Sequence, residues 1–235
     1  MSIDNNNQSA ALKEEVLAVD LPEAELISYE FLKRVLDIAG SLVGIILSSP
    51  IMLIIAFLIK LDSRGPIFAD TPKRVGKDGK LFKMYKFRSM VVGAHEMLQK
   101  NPKLLEQYKK NSYKIHDDPR VTKIGKFIRK VSLDELPQLF NILKGEMGLV
   151  GPRAYYPFEL AEQQEKYPQT EKFVNIILQA KPGLTGVWQI SGRSAINFDK
   201  RVEMDANYVQ KRSIIYDLLL IFKTIPAVLT GRGAV

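Results

Sequence analysis

The chain has 235 residues and contains no cysteine, only two histidines and a single tryptophan. The absence of cysteine excludes disulfide bonds and thiolate zinc sites, and it favours a reducing location that faces the cytosol. The two histidines, His95 and His116, leave little for a histidine-based metal site or a Ser-His-Asp triad. The start of the chain also lacks the basic and apolar regions of a secretory signal.

Acidic residues are scarce outside the first part of the chain. Residues 1–30 have a net charge of −6, whereas the remaining residues have a net charge of +14. Residues 1–28 are polar and acidic, and they are predicted to form a flexible or weakly helical extension. The basic remainder indicates an anionic partner, which could be nucleic acid, anionic lipid or a phosphorylated small molecule.

One long apolar run dominates the first quarter of the chain. From Val35 to Ile59 the only charged residue is Asp37, and about 20 apolar residues suffice to span a bilayer. However, Ser49-Pro50 interrupts the run, because proline removes a backbone donor. Basic residues flank both ends, which places both ends on the cytoplasmic side. A re-entrant helical hairpin over residues 29–61, broken at Ser49-Pro50, satisfies both observations. The alternative is a buried helix pair in a soluble core.

Residues 62–235 are predicted to form one cytoplasmic domain of mixed structure. Turn signals alternate with short apolar runs in residues 62–90, which indicates a small antiparallel hairpin or sheet. The end of the chain is apolar but interrupted, and it could lie along a membrane surface or close the core. The predicted fold class is therefore α+β and helix-rich, with surface amphipathic helices. Helices are expected over residues 91–115, with a second segment starting at Pro102, and over 123–130, with Thr122 as its cap. Further helices are expected over 157–178 and 198–213, and an irregular loop or strand over 181–193.

Two adjacent carboxylates, Asp134 and Glu135, lie in the stretch 129-RKVSLDELPQLFNILKGEMGLVGPR-153. Neighbouring residues on a helix point about 100° apart, so the two acids would take different roles at one site. One could attack a phosphoryl group while the other binds magnesium or moves a proton. Arg129 and Arg153 would then offset phosphate charge. Alternatively, Ser132 and Glu135 form a helix capping box, and both interpretations can hold together.

Three motifs carry a resemblance to a known family. They are KFRSM at 86–90, DDPRVTKIGKFIRKVSLDELPQLFNILKGEMGLVGPR at 117–153 and KPGLTGVWQISGR at 181–193. Together with the preceding apolar segment, they resemble the bacterial sugar transferases, which are monotopic polyprenyl-phosphate phosphoglycosyl transferases, over roughly residues 29–235. The resemblance implies transfer of a sugar-1-phosphate from a UDP-sugar to undecaprenyl phosphate, with release of UMP. It also implies location on the cytoplasmic face of the bacterial inner membrane.

The resemblance also assigns roles to the acidic pair and its arginines. Asp134 is implied to be the nucleophile that carries a covalent phosphosugar, and Glu135 the ligand of a Mg²⁺ ion. Arg129 and Arg153 are implied to contact phosphate groups. The turn reads Pro152-Arg153-Ala154 where the family commonly has Pro-Arg-Pro, which relaxes the turn but keeps the arginine. The C-terminal pattern resembles the exopolysaccharide-initiating branch, which tends to use UDP-glucose or UDP-galactose.

Further candidate residues surround these motifs. Lys86 and Arg88 alternate on a predicted strand and could meet phosphate groups, or they could be solvated charges. For the nucleotide, the candidates are Gln189, Arg193 and Asp205, although a structural salt bridge is an alternative role for Asp205. A homodimer is compatible with the sequence, but no residue indicates one.

Two other functions are compatible with parts of the sequence. A non-catalytic, anionic-lipid-binding scaffold of a polysaccharide export complex would tolerate loss of Asp134 and would not respond to magnesium. A basic nucleic-acid-binding domain would show tight, salt-sensitive binding to DNA or RNA. The long apolar segment and the few aromatic residues in basic stretches argue against nucleic acid as a partner.

Overall fold

The computed structural model of the chain describes residues 22–110, 113, 115–192 and 196–229. Helices make up most of this part, and two small two-stranded sheets complete it, so the prediction of a helix-rich α+β fold is confirmed. The helices are α1 Glu23–Asp62, α2 Ala94–Lys100, α3 Pro102–Lys110, α4 Lys123–Lys130, α5 Gln138–Lys144, α6 Pro157–Lys166, α7 Glu171–Ile177, α8 Val187–Ser191, α9 Phe198–Lys211 and α10 Ile214–Leu229. The strands are β1 Arg74–Val75, β2 Leu81–Phe82, β3 Gly148–Val150 and β4 Gly183–Thr185.

Helix α1 runs for 40 residues and continues through Pro50. Because Pro50 has no N–H for the carbonyl of Ile46, that carbonyl needs another donor, and the Ser49 hydroxyl supplies one at 2.9 Å. The structure therefore has one helix across Ser49-Pro50 rather than two helices separated by a break. It also begins at Glu23, inside the predicted acidic extension, and not at residue 29. The re-entrant course of this helix stays a prediction.

The surface of α1 is mostly apolar and uncovered. By length and composition, it is the one helix among the described residues that could cross a membrane. The side chains of Leu47 and Leu53 are more than 70% exposed, and that of Phe57 is 64% exposed. A helix pair buried in a soluble core, the alternative suggested by the sequence, is therefore not what the structure has.

Both ends of α1 pack against the rest of the protein. Near its start, the Arg34 guanidinium donates to the carbonyls of Ile142 and Leu143, each at 2.7 Å, at the end of α5. Near its end, Ile59 is buried in a cluster with Phe87 and Ile128. The two ends of the apolar run are therefore held by the same body.

The remaining described residues form a body around three buried apolar clusters, one of which includes the end of α1. The largest cluster joins α7, α9 and α10 to β3. The predicted hairpin in residues 62–90 is present as the antiparallel pair β1–β2. The predicted helical region over 91–115 contains α2 and α3, and α3 starts at Pro102 as predicted. The predicted loop or strand over 181–193 contains β4 and the short helix α8.

Strands β3 and β4 pair in parallel, and this pairing brings two sequence motifs together. The backbone of Gly183 donates to the carbonyl of Pro152 at 2.9 Å, and that of Gly151 donates to the carbonyl of Thr185 at 3.0 Å. A Cβ atom on Gly151 would lie 2.3 Å from the Lys181 carbonyl oxygen, so only glycine permits this approach. The pairing fixes the turn that carries Arg153.

Candidate active site

The acidic pair occupies a short 3₁₀ turn, Leu133–Glu135, between α4 and α5. Helix α4 starts as predicted, with Thr122 Oγ1 accepting the backbone N–H of Gly125 at 3.0 Å. The predicted capping box at Ser132 is wrong: this residue has a left-handed backbone with φ 57° and makes no side-chain cap hydrogen bond. The turn replaces the helical start that the sequence suggested.

Lys86 joins the two acids from a different part of the chain. The backbone N–H of Phe87 donates to the Asp134 carbonyl at 2.9 Å, which fixes the neighbouring Lys86 beside the turn. Lys86 Nζ donates to Glu135 Oε1 at 2.6 Å and lies 3.9 Å from Asp134 Oδ2. The adjacent carboxylates therefore converge on one ammonium group.

The surroundings shift the pKa values of the two acids in opposite directions. Asp134 is only 8% exposed, and this burial raises its pKa to about 6, against the opposing charge of Lys86. Burial alone would also raise the pKa of Glu135, but the charge and hydrogen bond of Lys86 outweigh it and hold that pKa below its usual value. Near pH 7, both groups carry a negative charge.

Two predicted arginines face this turn. Arg129 lies in the last turn of α4, and its positive charge favours the ionised form of Asp134. Arg153 follows the β3 turn, and its charge favours the ionised form of Glu135. Arg153 Nε is buried and has no hydrogen-bonding partner within the described part of the chain. A donor left without an acceptor at this point suits an anionic ligand.

Two further buried residues belong to this cluster, and sequence reasoning missed them. Glu159 lies between two guanidinium groups, with Oε1 3.7 Å from Arg153 Nη2 and Oε2 3.8 Å from Arg74 Nη1. Arg74 also donates to the Ala154 carbonyl at 3.1 Å and stacks 3.2 Å from the centre of the Tyr156 ring. In the sequence, Arg74 is one of several bases near a turn, and nothing distinguishes it from its solvated neighbours.

Asp205 supports Arg153 from within the core. It is fully buried and accepts the backbone N–H of Arg153 at 2.9 Å. Burial raises the pKa of Asp205 to about 7, against that hydrogen bond and the charges of Arg201 and Arg153. The structure therefore gives Asp205 a hydrogen bond to backbone and not the salt bridge suggested as an alternative, and its role toward the nucleotide stays a prediction.

The other predicted residues lie apart from the acidic pair or outside the described residues. Arg88 is buried, and its guanidinium donates to Ser63 Oγ at 2.6 Å, to the Ser63 carbonyl at 2.9 Å and to the Pro66 carbonyl at 2.6 Å. It anchors the segment after α1, and the expectation that it shares a phosphate-binding face with Lys86 is not supported. Gln189 is half-buried on α8. Arg193 lies outside the described residues.

The side chains of the acidic pair can be compared with the ligands that the predicted magnesium ion requires. Within the described ranges, no group of three or more His, Cys, Asp or Glu side chains could hold a metal by itself. Magnesium, however, is usually bound by one or two carboxylates together with substrate phosphates and water. The two carboxylates of Asp134 and Glu135, with donors for phosphate nearby, fit that type of site.

Comparison with known proteins gives consistent matches. The profile of the family described as "Bacterial sugar transferase" matches residues 28–231. The undecaprenyl-phosphate galactose phosphotransferase of Salmonella typhimurium is 43% identical over 210 residues, which cover 88% of this chain and 42% of that protein. The exopolysaccharide production protein ExoY of Sinorhizobium fredii is 43% identical over 206 residues, which cover 86% of this chain and 87% of that protein.

A third relative differs in the sugar that its name specifies. The undecaprenyl-phosphate glucose phosphotransferase of Komagataeibacter xylinus is 37% identical over 207 residues, which cover 86% of this chain and 36% of that protein. The chain spans less than half the length of this relative and of the Salmonella protein.

Proposed function

The chain belongs to the bacterial sugar transferase family, and from this premise we propose that it transfers a hexose-1-phosphate from a UDP-sugar to undecaprenyl phosphate. Glucose and galactose are the expected sugars, since relatives named for each of them match most of the chain. The observation that carries the proposal is the buried Asp134, which lies beside Lys86 and within the field of Arg129. A carboxylate so placed is suited to attack phosphorus.

Asp134 acts as the nucleophile in the proposed reaction. Its carboxylate oxygen forms a bond to the phosphorus that bears the sugar, while the bond between that phosphorus and the bridging oxygen breaks and UMP leaves. The phosphate oxygen of undecaprenyl phosphate then attacks the same phosphorus, and the acyl phosphate bond breaks. This second step restores the Asp134 carboxylate and yields a lipid diphosphate sugar.

The basic residues around the turn stabilise phosphate charge in both steps. Lys86 reaches both carboxylates, and Arg153 has a buried nitrogen without an acceptor. Planar guanidinium groups bind phosphate oxygens in pairs of hydrogen bonds, and Glu159 and Asp205 hold Arg153 in place for that purpose. Glu135, beside Asp134, would hold a magnesium ion that neutralises phosphate charge when it is bound.

The course of α1 supports a monotopic arrangement at the cytoplasmic face of the inner membrane. Arg34 near its start and Ile59 near its end contact the same body, which supports a position of both ends of the apolar run on one side of the membrane. We expect the run to enter and leave by that side. Basic flanks agree with a cytoplasmic position of both ends.

The intact mass of the purified protein tests this function directly. After incubation with magnesium and UDP-galactose or UDP-glucose, without lipid acceptor, the wild type should gain the mass of a hexose phosphate and the Asp134→Asn variant should not. Asp117→Asn is the matched control, since Asp117 is exposed in the same motif and its variant should form the adduct.

Other results would redirect or reject the proposal. No adduct with either sugar, but release of UMP from a different UDP-sugar when undecaprenyl phosphate is present, would keep the reaction and discard glucose and galactose. If no nucleotide sugar gives an adduct or UMP, and Asp134→Asn behaves like the wild type, the enzyme proposal fails. A non-catalytic scaffold would then be the better interpretation.

A further inference from the structure

A second basic site lies at the start of α1, away from the acidic pair. It is a cavity of about 30 Å³ between α1, the residues before β4 and the end of α9. Four cationic side chains and two carboxylates line it, and none of the residues of the proposed active site does. We call it the basic cavity, and its charged lining is Glu30, Lys33, Arg34, Asp37, Lys181 and Arg212.

The positive charge of the basic cavity is only partly compensated. Lys33 is neutralised, because its Nζ lies 2.6 Å from Asp37 Oδ1 and 3.4 Å from Asp217 Oδ2. Arg34 is different, because its guanidinium donates to the backbone carbonyls at the end of α5, which are neutral. Burial and the neighbouring charge of Arg34 lower the pKa of Lys181. Burial is the larger of these two causes, and the contribution of Arg34 shows that the two cations repel each other across the cavity.

Arg212 provides an independent indication that an acceptor is missing. It is 3% exposed, and its Nη2 donates to Glu30 Oε1 at 3.2 Å. Its Nε and Nη1 are both buried and have no hydrogen-bonding partner among the described residues. Buried side-chain donors are nearly always paired, and Glu30 is already shared with Lys77 at 3.5 Å. The natural partner of two free guanidinium donors is an anion with several oxygens.

The size and position of the cavity identify the anion. The enclosed space of about 30 Å³ has room for only one or two water-sized groups, so it can admit oxygen atoms of a phosphate group but not the base of a nucleotide. The cavity lies where the apolar run begins, and the nearby side chains of Phe31 and Val35 are 69% and 51% exposed. We propose that the basic cavity binds one phosphate group of an anionic phospholipid headgroup at the membrane surface. This site does not depend on the proposed catalytic function.

Native mass spectrometry of the full chain in detergent tests the site. We expect the wild type to retain one phosphatidylglycerol at least ~10-fold more tightly than phosphatidylcholine, whose choline cation opposes the charged lining. Lys181→Gln should weaken retention of phosphatidylglycerol roughly 10-fold or more, as expected for the loss of a charge-assisted hydrogen bond. Lys211→Gln is the control, because Lys211 is exposed next to Arg212 and does not line the cavity.

A second variant and a second ligand keep the test decisive. Arg212→Gln should also release the lipid, but it breaks a buried pair with Glu30, so Lys181→Gln carries the conclusion if the Arg212 variant does not fold. Equal retention of phosphatidylglycerol by the wild type and Lys181→Gln would overturn the proposal. A second result would also overturn it. In this result, the wild type retains no lipid, but inorganic phosphate raises its melting temperature above that in chloride at equal ionic strength, and Lys181→Gln shows no such increase. That result would assign the cavity to free phosphate.

Discussion

Replacing Lys86 with methionine should shift the pH range in which Asp134 can react. Lys86 Nζ lies 3.9 Å from Asp134 Oδ2, and its charge opposes the burial that raises the pKa of Asp134 to about 6. Without this ammonium group, burial and the repulsion from Glu135 are opposed by the weaker effects of Arg129 and a backbone hydrogen bond. The carboxylate should then stay protonated to a higher pH, and a protonated acid is not a nucleophile.

The distance sets the size of the effect. Two unit charges about 4 Å apart interact by about 4 kcal/mol at an effective dielectric constant near 20 and by about 1 kcal/mol in water. The Lys86 side chain is 22% exposed, so the true value lies between these limits. Since about 1.4 kcal/mol corresponds to one pH unit, the pH at which half of Asp134 is ionised, which is the midpoint of the pH profile, should rise by roughly 1 to 3 pH units. A midpoint near pH 8 would leave about one tenth of Asp134 ionised at pH 7.

The assay is the rate of adduct formation from the UDP-sugar, followed by intact mass between pH 5 and pH 9. The wild type should lose its reaction as the pH falls through about 6, whereas Lys86→Met should lose it at higher pH and recover at pH 9. Lys83→Met is the matched control, because Lys83 is exposed and pairs with Asp70 at 3.2 Å. A slower reaction with an unchanged midpoint would refute the electrostatic reasoning and assign Lys86 to contact with the substrate.

Two other substitutions test the buried acids behind Arg153. Glu159→Gln should lower the free energy of unfolding in urea by about 3–5 kcal/mol, because it leaves two buried guanidinium groups without their carboxylate. The control Glu165→Gln, on the exposed face of α6, should change it little. Equal urea midpoints of unfolding for the two variants would contradict the role of Glu159. Burial raises the pKa of Asp205 to about 7 from an unfolded value of about 3.9, so the folded state binds the proton more tightly and stability falls as the pH rises through this range. Asp205→Asn removes that loss, so its free energy of unfolding should exceed that of the wild type by up to about 4 kcal/mol at pH 8 but not at pH 4. The same difference in free energy at both pH values would show that Asp205 does not titrate between them.

Local patterns predicted the elements of this fold better than their arrangement. The Thr122 cap and the hairpin at 62–90 follow from residue types within a few positions of each other, and both are present. The capping box at Ser132 failed because that residue adopts a left-handed backbone, which gives a 3₁₀ turn and not a helix start. A hydrogen-bonding pattern can be recognised in a sequence without being used in the fold, since other contacts of the same segment decide the backbone.

The convergence at the candidate site could not be predicted for a different reason. The sequence named Asp134, Glu135, Arg153 and Lys86 as candidates, but it did not indicate which distant groups contact one another. Lys86 meets Glu135 across 49 positions, and Arg74 meets the Ala154 carbonyl across 80. Such contacts depend on the packing of whole elements, and no local periodicity encodes them.

The parallel pair β3–β4 links the two basic sites of the molecule. Gly151 and Gly183 cross so closely that a Cβ atom on Gly183 would lie 2.0 Å from the Gly151 nitrogen. Arg153 follows this crossing toward the acidic pair, and Lys181 precedes it toward the basic cavity. A headgroup bound at Lys181 would therefore be connected to Arg153 through a short, closely packed piece of backbone. Lipid binding at Lys181 and the placement of Arg153 would then be coupled by the same pair of strands.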